Sequence, residues 1–299
     1  MTDPEAGRRG ALLVALAACL WGTNGTARAL GPDAASPIAV GAVRMVGGGA
    51  VLVAVAVARG FRPRWREWAT TRTAVAVLAM AAYQPLFFGG VSRAGVAVGT
   101  VVGIGTSPIA GGVLGRLVRR EPLDRRWLAA TALGLAGAAL LATAGGGGAG
   151  DDLAAGLALA IGAGVAWAVY LVATADLVEQ RDTGEVTAVV FGAAGLLLVP
   201  VALVSGVGWV GTGGGALLAA HLCLVTTAVA YPLCNRGLRS VGAARAATLS
   251  LAEPATAAVL GLAVLDERLA ALGWAGLALV AAGVVVLASG QVRNRSSVS

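Results

Sequence analysis

Two charges stand inside stretches of chain that are otherwise apolar. Glu253 sits in "LSLAEPATAAVLGLAVLDE" (249–267), directly before Pro254, and Arg44 sits in "PIAVGAVRMVGGGA" (37–50). A charge at mid-bilayer costs on the order of 2.5–3.5 kcal/mol on insertion scales, so it faces a partner or a cavity rather than lipid. The chemistry open to these two is therefore a structural ion pair or the lining of a polar chamber. Depth helps to choose. Glu267 is expected at the outer exit of its helix, and Glu253 lies fourteen residues earlier, roughly 21 Å inward at ~1.5 Å per residue. Arg44 lies seven residues from Pro37, roughly 10 Å below the same surface. A gap of roughly 10 Å is awkward for direct pairing and favours a shared polar cavity, although whether the two pair or bind a ligand stays open at this point.

Other polar groups are candidates by type. Trp21, Thr23, Asn24 and Thr26 put polar atoms into the first helix, and Tyr83, Tyr170 and Tyr231 offer hydroxyls and stacking faces. Each aromatic taken alone is more often packing than contact. His221, the single histidine, is expected to be a satisfied buried imidazole near the membrane edge rather than a proton relay. Pro254 removes a backbone donor and should free carbonyls near residue 250, and Pro108 should do the same in the fourth helix. Paired irregularities at mid-depth are the expectation.

The elements that must hold these residues follow from composition. The chain is 58 % hydrophobic and 12 % charged, with a mean hydropathy of +0.82 over 299 residues. A soluble domain of that size would show far more charge to water. Apolar segments of roughly 17–25 residues, long enough to cross a ~30 Å hydrocarbon core, recur along the chain. Helices are predicted near 10–30, 37–58, 70–91, 95–116 and 126–144, and again near 153–175, 186–205, 214–235, 241–265 and 270–289. The sequence thus predicts an all-α integral membrane protein with ten transmembrane helices. Its units are a first five-helix repeat at 8–145, a Gly-rich linker at 146–152, a second repeat at 153–290 and a tail at 291–299.

The duplication is visible at one offset, 146 residues. It carries Gly10 to Gly156, Trp21 to Trp167, Pro108 to Pro254, Glu121 to Glu267, Gly137 to Gly283 and Leu141 to Leu287. Five is odd, so the second unit enters the membrane with the opposite orientation, an inverted repeat of the kind secondary transporters use for alternating access. Arg44 aligns with Val190 and Glu253 with Ser107. The scaffold is duplicated and these charges are not.

All 22 basic residues are arginine. With the N-terminus inside, 18 of them fall on the cytoplasmic side, three (Arg28, Arg93, Arg268) outside, and Arg44 in the membrane. That bias places both termini in the cytoplasm and reads the net charge of +7 as topology rather than nucleic-acid binding. Cys19, Cys223 and Cys234 lie in apolar spans without metal or disulfide spacing and read as small buried hydrophobes. "RRGALLVALAAC" resembles a lipoprotein signal, but the apolar run continues past Cys19 into "LWG", so it is read as the first helix. Gly95, Gly99, Gly103, Ser107, Gly111 and Gly115 form a four-residue ridge on the fourth helix, which serves a contact within the fold or a homodimer seam; the former is expected.

With "LWG" at Leu20-Trp21-Gly22 and the duplicated frames Pro108…Glu121 and Pro254…Glu267 ahead of glycine-bearing helices, the chain resembles the drug/metabolite transporter superfamily, its EamA-type ten-helix members. The second copy departs with Trp167-Ala168, and the first ends in "RRE". The resemblance covers nearly the whole chain. It implies a carrier in a bacterial inner membrane, usually a proton-driven exporter of amino acids or related small metabolites. It also implies a cavity between the halves that Trp21, Arg44 and Glu253 face. The candidate substrate-binding residues are thus Trp21, Asn24, Arg44, Tyr83, Tyr170 and Glu253, with Glu253 the proton-coupling candidate. Pro108, Pro254, Gly103 and Gly111 are helix-break and packing positions. No cofactor, metal or catalytic residue is expected, since the spans hold no nucleophile–base constellation. The partners are a small-molecule substrate, the proton and lipid. A passive facilitator or channel, an importer, and a multidrug or organic-cation exporter are the alternatives.

Overall fold

The computed structural model describes residues 4–144, 152–265 and 270–289, without the side chains of 4, 96, 97, 144 and 289. Glu267, Arg268, the linker apart from Asp152, and the tail at 291–299 lie outside the described residues. Ten helices among the described residues are long and apolar enough to cross a membrane. They are α1 (Pro4–Ala29), α2 (Pro37–Ala58), α3 (Thr71–Ala94), α4 (Val96–Val118) and α5 (Arg125–Ala144), then α6 (Leu153–Gln180), α7 (Thr183–Ser205), α8 (Gly213–Val241), α9 (Ala243–Val264) and α10 (Ala271–Ser289).

Their starts are set by local chemistry. Ser36, Thr70, Asp152, Asp182 and Thr212 each accept a first-turn amide at the heads of α2, α3, α6, α7 and α8, and Pro37 opens α2 without wasting a donor. α1 begins at Pro4, well ahead of the expected residue 10, and two helices run more than a turn past their expected C-terminal ends. α6 continues to Gln180 because Asp176 and Glu179, which read as loop residues in isolation, are bound by arginines of α3 and α4. α8 continues to Val241 because Cys234, Asn235, Leu238 and Val241 form a buried stripe beneath exposed Arg236.

The two five-helix units pack by the same contacts. α3 lies along α6, and their counterparts α8 and α1 lie along each other, while α2 crosses α7 and α5 crosses α10. The correspondence reaches single atoms. A Cβ on Gly195 would lie 2.9 Å from the Met45 carbonyl oxygen, and one on Gly49 would run into the Phe191 carbonyl. Residues 45 and 191, like 49 and 195, are separated by the repeat offset. At the other crossing Gly137 meets Gly276 and Val280, and Gly283 meets Ala130 and Gly134, again the same positions in both copies. Close backbone approach at small residues is what holds helices together where lipid removes the hydrophobic incentive.

The ridge on α4 is spent inside the fold. Gly99 faces Val91 of α3, Gly103 faces Phe87 and Ala160, and Gly111 faces Ala247 of α9 with a Cβ–Cβ distance of 3.0 Å for an added methyl. The ends of α2, α4, α6 and α8, and the starts of α3, α5, α7 and α9, form an arginine-rich face, whereas the opposite face holds Arg28 and Arg93 among the described residues.

Gly137→Val should destabilise the detergent-solubilised protein by about 1–3 kcal/mol, because backbone of α10 blocks the added methyls. Gly25→Val, where an added Cβ meets nothing within 4 Å, should stay within about 0.5 kcal/mol. Thermal midpoints of the two variants, measured side by side, check this.

Candidate functional site

The centre of the bundle is organised by an interruption in α8. Thr226 and Thr227 both donate their hydroxyls to the Leu222 carbonyl, at 3.0 and 2.9 Å, and the chain widens into a π-turn over Leu224–Val229. Threonine hydroxyls compete with amides for nearby carbonyls, and single π-turns result where a helix takes in an extra residue. The Ala230 amide then bonds to the carbonyls of Val225 and Thr227 and passes over Thr226. The Thr226 carbonyl instead accepts two side-chain donors from other helices, Trp21 Nε1 at 3.0 Å and Arg44 Nη2 at 3.2 Å.

Arg44 is held from further sides. Its Nε donates to Thr227 Oγ1 at 3.2 Å, Nη2 donates to the Tyr231 hydroxyl at 3.4 Å, and the guanidinium lies 5.7 Å from the Tyr231 ring centroid. A guanidinium has five N–H donors, and among the described residues Nη1 has no partner. The charge is thus buried, 7 % exposed, yet oriented with one edge to spare.

α9 breaks between helical stretches Ala243–Leu249 and Ala252–Val264, and Glu253 sits in the first turn of the second. Pro254 lacks the amide that would bond to the Ser250 carbonyl. That carbonyl takes the Glu253 amide at 3.0 Å instead, an i→i−3 bond that tightens the turn. The expected second break, at Pro108, does not occur: α4 runs helical through it. The reason is the neighbouring residue. Pro108 would leave the Ile104 carbonyl bare, and the Ser107 hydroxyl donates to it at 2.8 Å. An ionised glutamate has no proton to give, so the second copy cannot heal its helix in the same way. Where the first copy carries Ser107 on a continuous helix, the second carries Glu253 just after an interruption.

Arg44 and Glu253 do not form an ion pair; among the described residues the Glu253 carboxylate has no hydrogen-bond partner. Both line one central chamber, together with Trp21, Tyr83, Gly103, Ile104, Trp167, Tyr231 and Ser250. Trp21 and Trp167, the same residue in the two repeats, meet edge to face across it with centroids 5.2 Å apart. The chamber is about 30 Å³, room for a water or two.

Four of the six candidate binding residues therefore share the chamber: Trp21, Arg44, Tyr83 and Glu253. Tyr170 stands behind Trp167, stacked at 5.2 Å, and donates to Asn235 Oδ1 at 2.9 Å in a fully buried polar pair. Asn24, a turn beyond Trp21, is likewise not part of the lining. Trp167, Ser250 and the Thr226–Thr227 anchor were not singled out from sequence; adjacent threonines five residues ahead of Pro232 are the signal that marks the irregular turn. His221 Nε2 lies 2.8 Å from the Thr23 hydroxyl, which donates to the Leu20 carbonyl.

Comparison with known proteins agrees with this architecture. The pattern of the EamA-like transporter family matches residues 8–143 and 154–289, one domain for each five-helix unit. The uncharacterized transporter YwfM of Bacillus subtilis is 37% identical over 292 residues, covering 96% of both chains. The uncharacterized inner membrane transporter YicL of Salmonella typhimurium is 26% identical over 286 residues, covering 94% of this chain and 95% of its own. A crystal structure with 23% identity superposes with a TM-score of 0.78 over 92% of this chain and 95% of that one, which bears on the fold alone. The chain belongs to the EamA-like transporter family: it is a multi-pass membrane transporter and not an enzyme.

The serine–proline compensation is directly measurable. Ser107→Ala should cost about 1–3 kcal/mol by leaving the Ile104 carbonyl without a donor. In a Pro108→Ala background, where the restored amide takes that carbonyl, the same substitution should cost less than about 0.5 kcal/mol. A double-mutant cycle on thermal or denaturant stability gives both values.

Proposed function

We propose that this EamA-like transporter is a proton-coupled exporter of amino acids or related small metabolites, working by alternating access through the central chamber. The observation that carries the reading is the Glu253 carboxylate. It sits unpartnered among the described residues, at a helix break, in a chamber whose only other charge is an anchored guanidinium. A buried carboxylate without a partner is expensive to keep ionised, so it alternates between binding a proton and binding a cationic group. An amino acid offers the complementary ends. Its ammonium would sit between Glu253 and the faces of Trp21, Tyr83 and Trp167, and its carboxylate would take the free Nη1 edge of Arg44.

Coupling then follows from exclusion. One carboxylate cannot hold a proton and an ammonium at once, so each crossing of the loaded carrier is paired with a return of the protonated one. The arginine-rich face is assigned to the cytoplasm by the excess of arginines in short loops on that side, with both termini cytoplasmic and the protein in a bacterial inner membrane. The aromatic wall also suits an organic amine lacking a carboxylate, a second substrate class that differs in making no use of Arg44.

Purified protein in liposomes with an imposed pH gradient tests this with a panel of labelled amino acids and organic amines. Glu253→Gln should abolish gradient-driven accumulation, whereas undiminished accumulation in that variant removes the carboxylate from the mechanism. Arg44→Ala should weaken carboxylate-bearing substrates about 10–100-fold, the worth of one or two charge-assisted hydrogen bonds, and spare simple amines. Equilibration that ignores the gradient in the unaltered protein would identify a passive facilitator.

A further inference from the structure

Arg119, which ends α4, directs every nitrogen of its guanidinium at a carboxylate. Nη1 contacts Asp176, Nη2 contacts Glu179, and Nε lies 3.1 Å from Glu121. The other oxygen of Asp176 takes Arg72 Nε, from the first turn of α3, at 3.2 Å. Glu121 in turn accepts the amides of Ala243 and Ala244, the first turn of α9, at 2.9 and 3.0 Å. One side chain thereby ties the ends of α3 and α4, from the first repeat, to α6 and α9, from the second. Arg119 and Asp176 are only 13% and 18% exposed, so this is not a loose surface pairing.

The cluster stands at the mouth of a crevice of about 490 Å³ between α3, α4 and α6, walled by Val75, Leu114, Val118 and Val172. The same three helices supply Tyr83, Ile104 and Trp167 to the chamber. Along each helix the crevice residues lie on the arginine-rich side of the chamber residues. Leu114, for example, is ten positions beyond Ile104, about 15 Å. The crevice thus lies on the same three helices as the chamber, nearer the arginine-rich face, with the ion cluster among its lining residues.

The opposite face is built otherwise. At the repeat offset Arg72 becomes Leu218, Arg119 becomes Leu265 and Asp176 becomes Leu30. Leu218 is buried in a small apolar cluster with Val40, Trp209 and Leu222. The correspondence is partial, since Glu179 becomes Asp33 and Glu121 becomes Glu267, but the arginine that joins the cluster has no counterpart.

We propose that the Arg72–Asp176–Arg119–Glu179 cluster is the gate of the arginine-rich side, an ionic gate whose central arginine has no counterpart in the other repeat. This rests on the transport reading, since opening toward that face requires α6 to part from α3 and α4. Salt screens partly exposed ion pairs. Rising ionic strength therefore shifts the carrier toward opening on the arginine-rich face.

The test measures access to the chamber and not transport. Cys19, Cys223 and Cys234 are replaced by alanine, Ser250→Cys places one thiol in the chamber lining, and a membrane-impermeant thiol reagent is applied to either face of oriented vesicles. Arg119→Gln should raise modification from the arginine-rich face about fivefold, a population shift of ~1 kcal/mol, and lower it from the other. The swap Arg119→Glu with Asp176→Arg should bring the rate back down. In the reporter without these gate changes, raising NaCl from about 0.05 M to about 0.5 M, which shortens the screening length severalfold, should act in the same direction. Should Arg119→Gln fail to fold, Asp176→Asn and the salt series carry the test. A thiol that reacts from both faces in turn, indifferent to Asp176→Asn and to salt, overturns the gate and leaves the transport reading standing. A thiol unreactive from both faces in every variant overturns both.

Discussion

Inside an apolar bundle no water is at hand for a backbone carbonyl that loses its helical donor, and the centre of this protein is arranged around three such carbonyls. That of Thr226, passed over by the π-turn, draws in Trp21 and Arg44. That of Ile104, bared by Pro108, is met by Ser107 within its own helix. That of Ser250, bared by Pro254, is met by the amide of Glu253 at the expense of helical continuity. The first solution brings a cation to the middle of the fold, the third brings an anion, and the second brings neither. Both charges line the chamber.

Duplication and divergence have separate physical carriers. The packing that relates the halves rests on small residues at crossings, Gly49 with Phe191 and Gly195 with Met45, Gly137 with Gly276 and Gly283 with Ala130. These tolerate no added atoms, and they occur twice. Three charges occur once: Arg44 without a mate at Val190, Glu253 without a mate at Ser107, Arg119 without a mate at Leu265. The crossings are equivalent in the two halves. Single-copy charges make the two faces, and the two directions, energetically different.

Ten spans, their duplication and the two unmatched charges were legible in the chain because hydropathy and a constant offset are one-dimensional properties. The break at Pro254 was legible too, since a missing amide is local. The break at Pro108 was misread: proline alone predicts a freed carbonyl, and only the hydroxyl placed on it in the folded helix says that the carbonyl is satisfied. Tyr170 shows the same limit. As a residue type it suits a binding site, but the side of α6 it occupies, behind Trp167 and against Asn235, follows from helix rotation, which a nearly uniform apolar span does not encode.

By itself, then, the sequence determined that this is a ten-helix membrane protein made of two opposed halves with one acid and one base held in its interior, because length, hydropathy, parity and charge count can be read along a line. Tertiary structure alone decided that the base is anchored and the acid is left free. The partners of Arg44 lie more than 180 residues away in the chain, and what a buried charge does is set by the donors and acceptors that folding brings within about 3 Å of it.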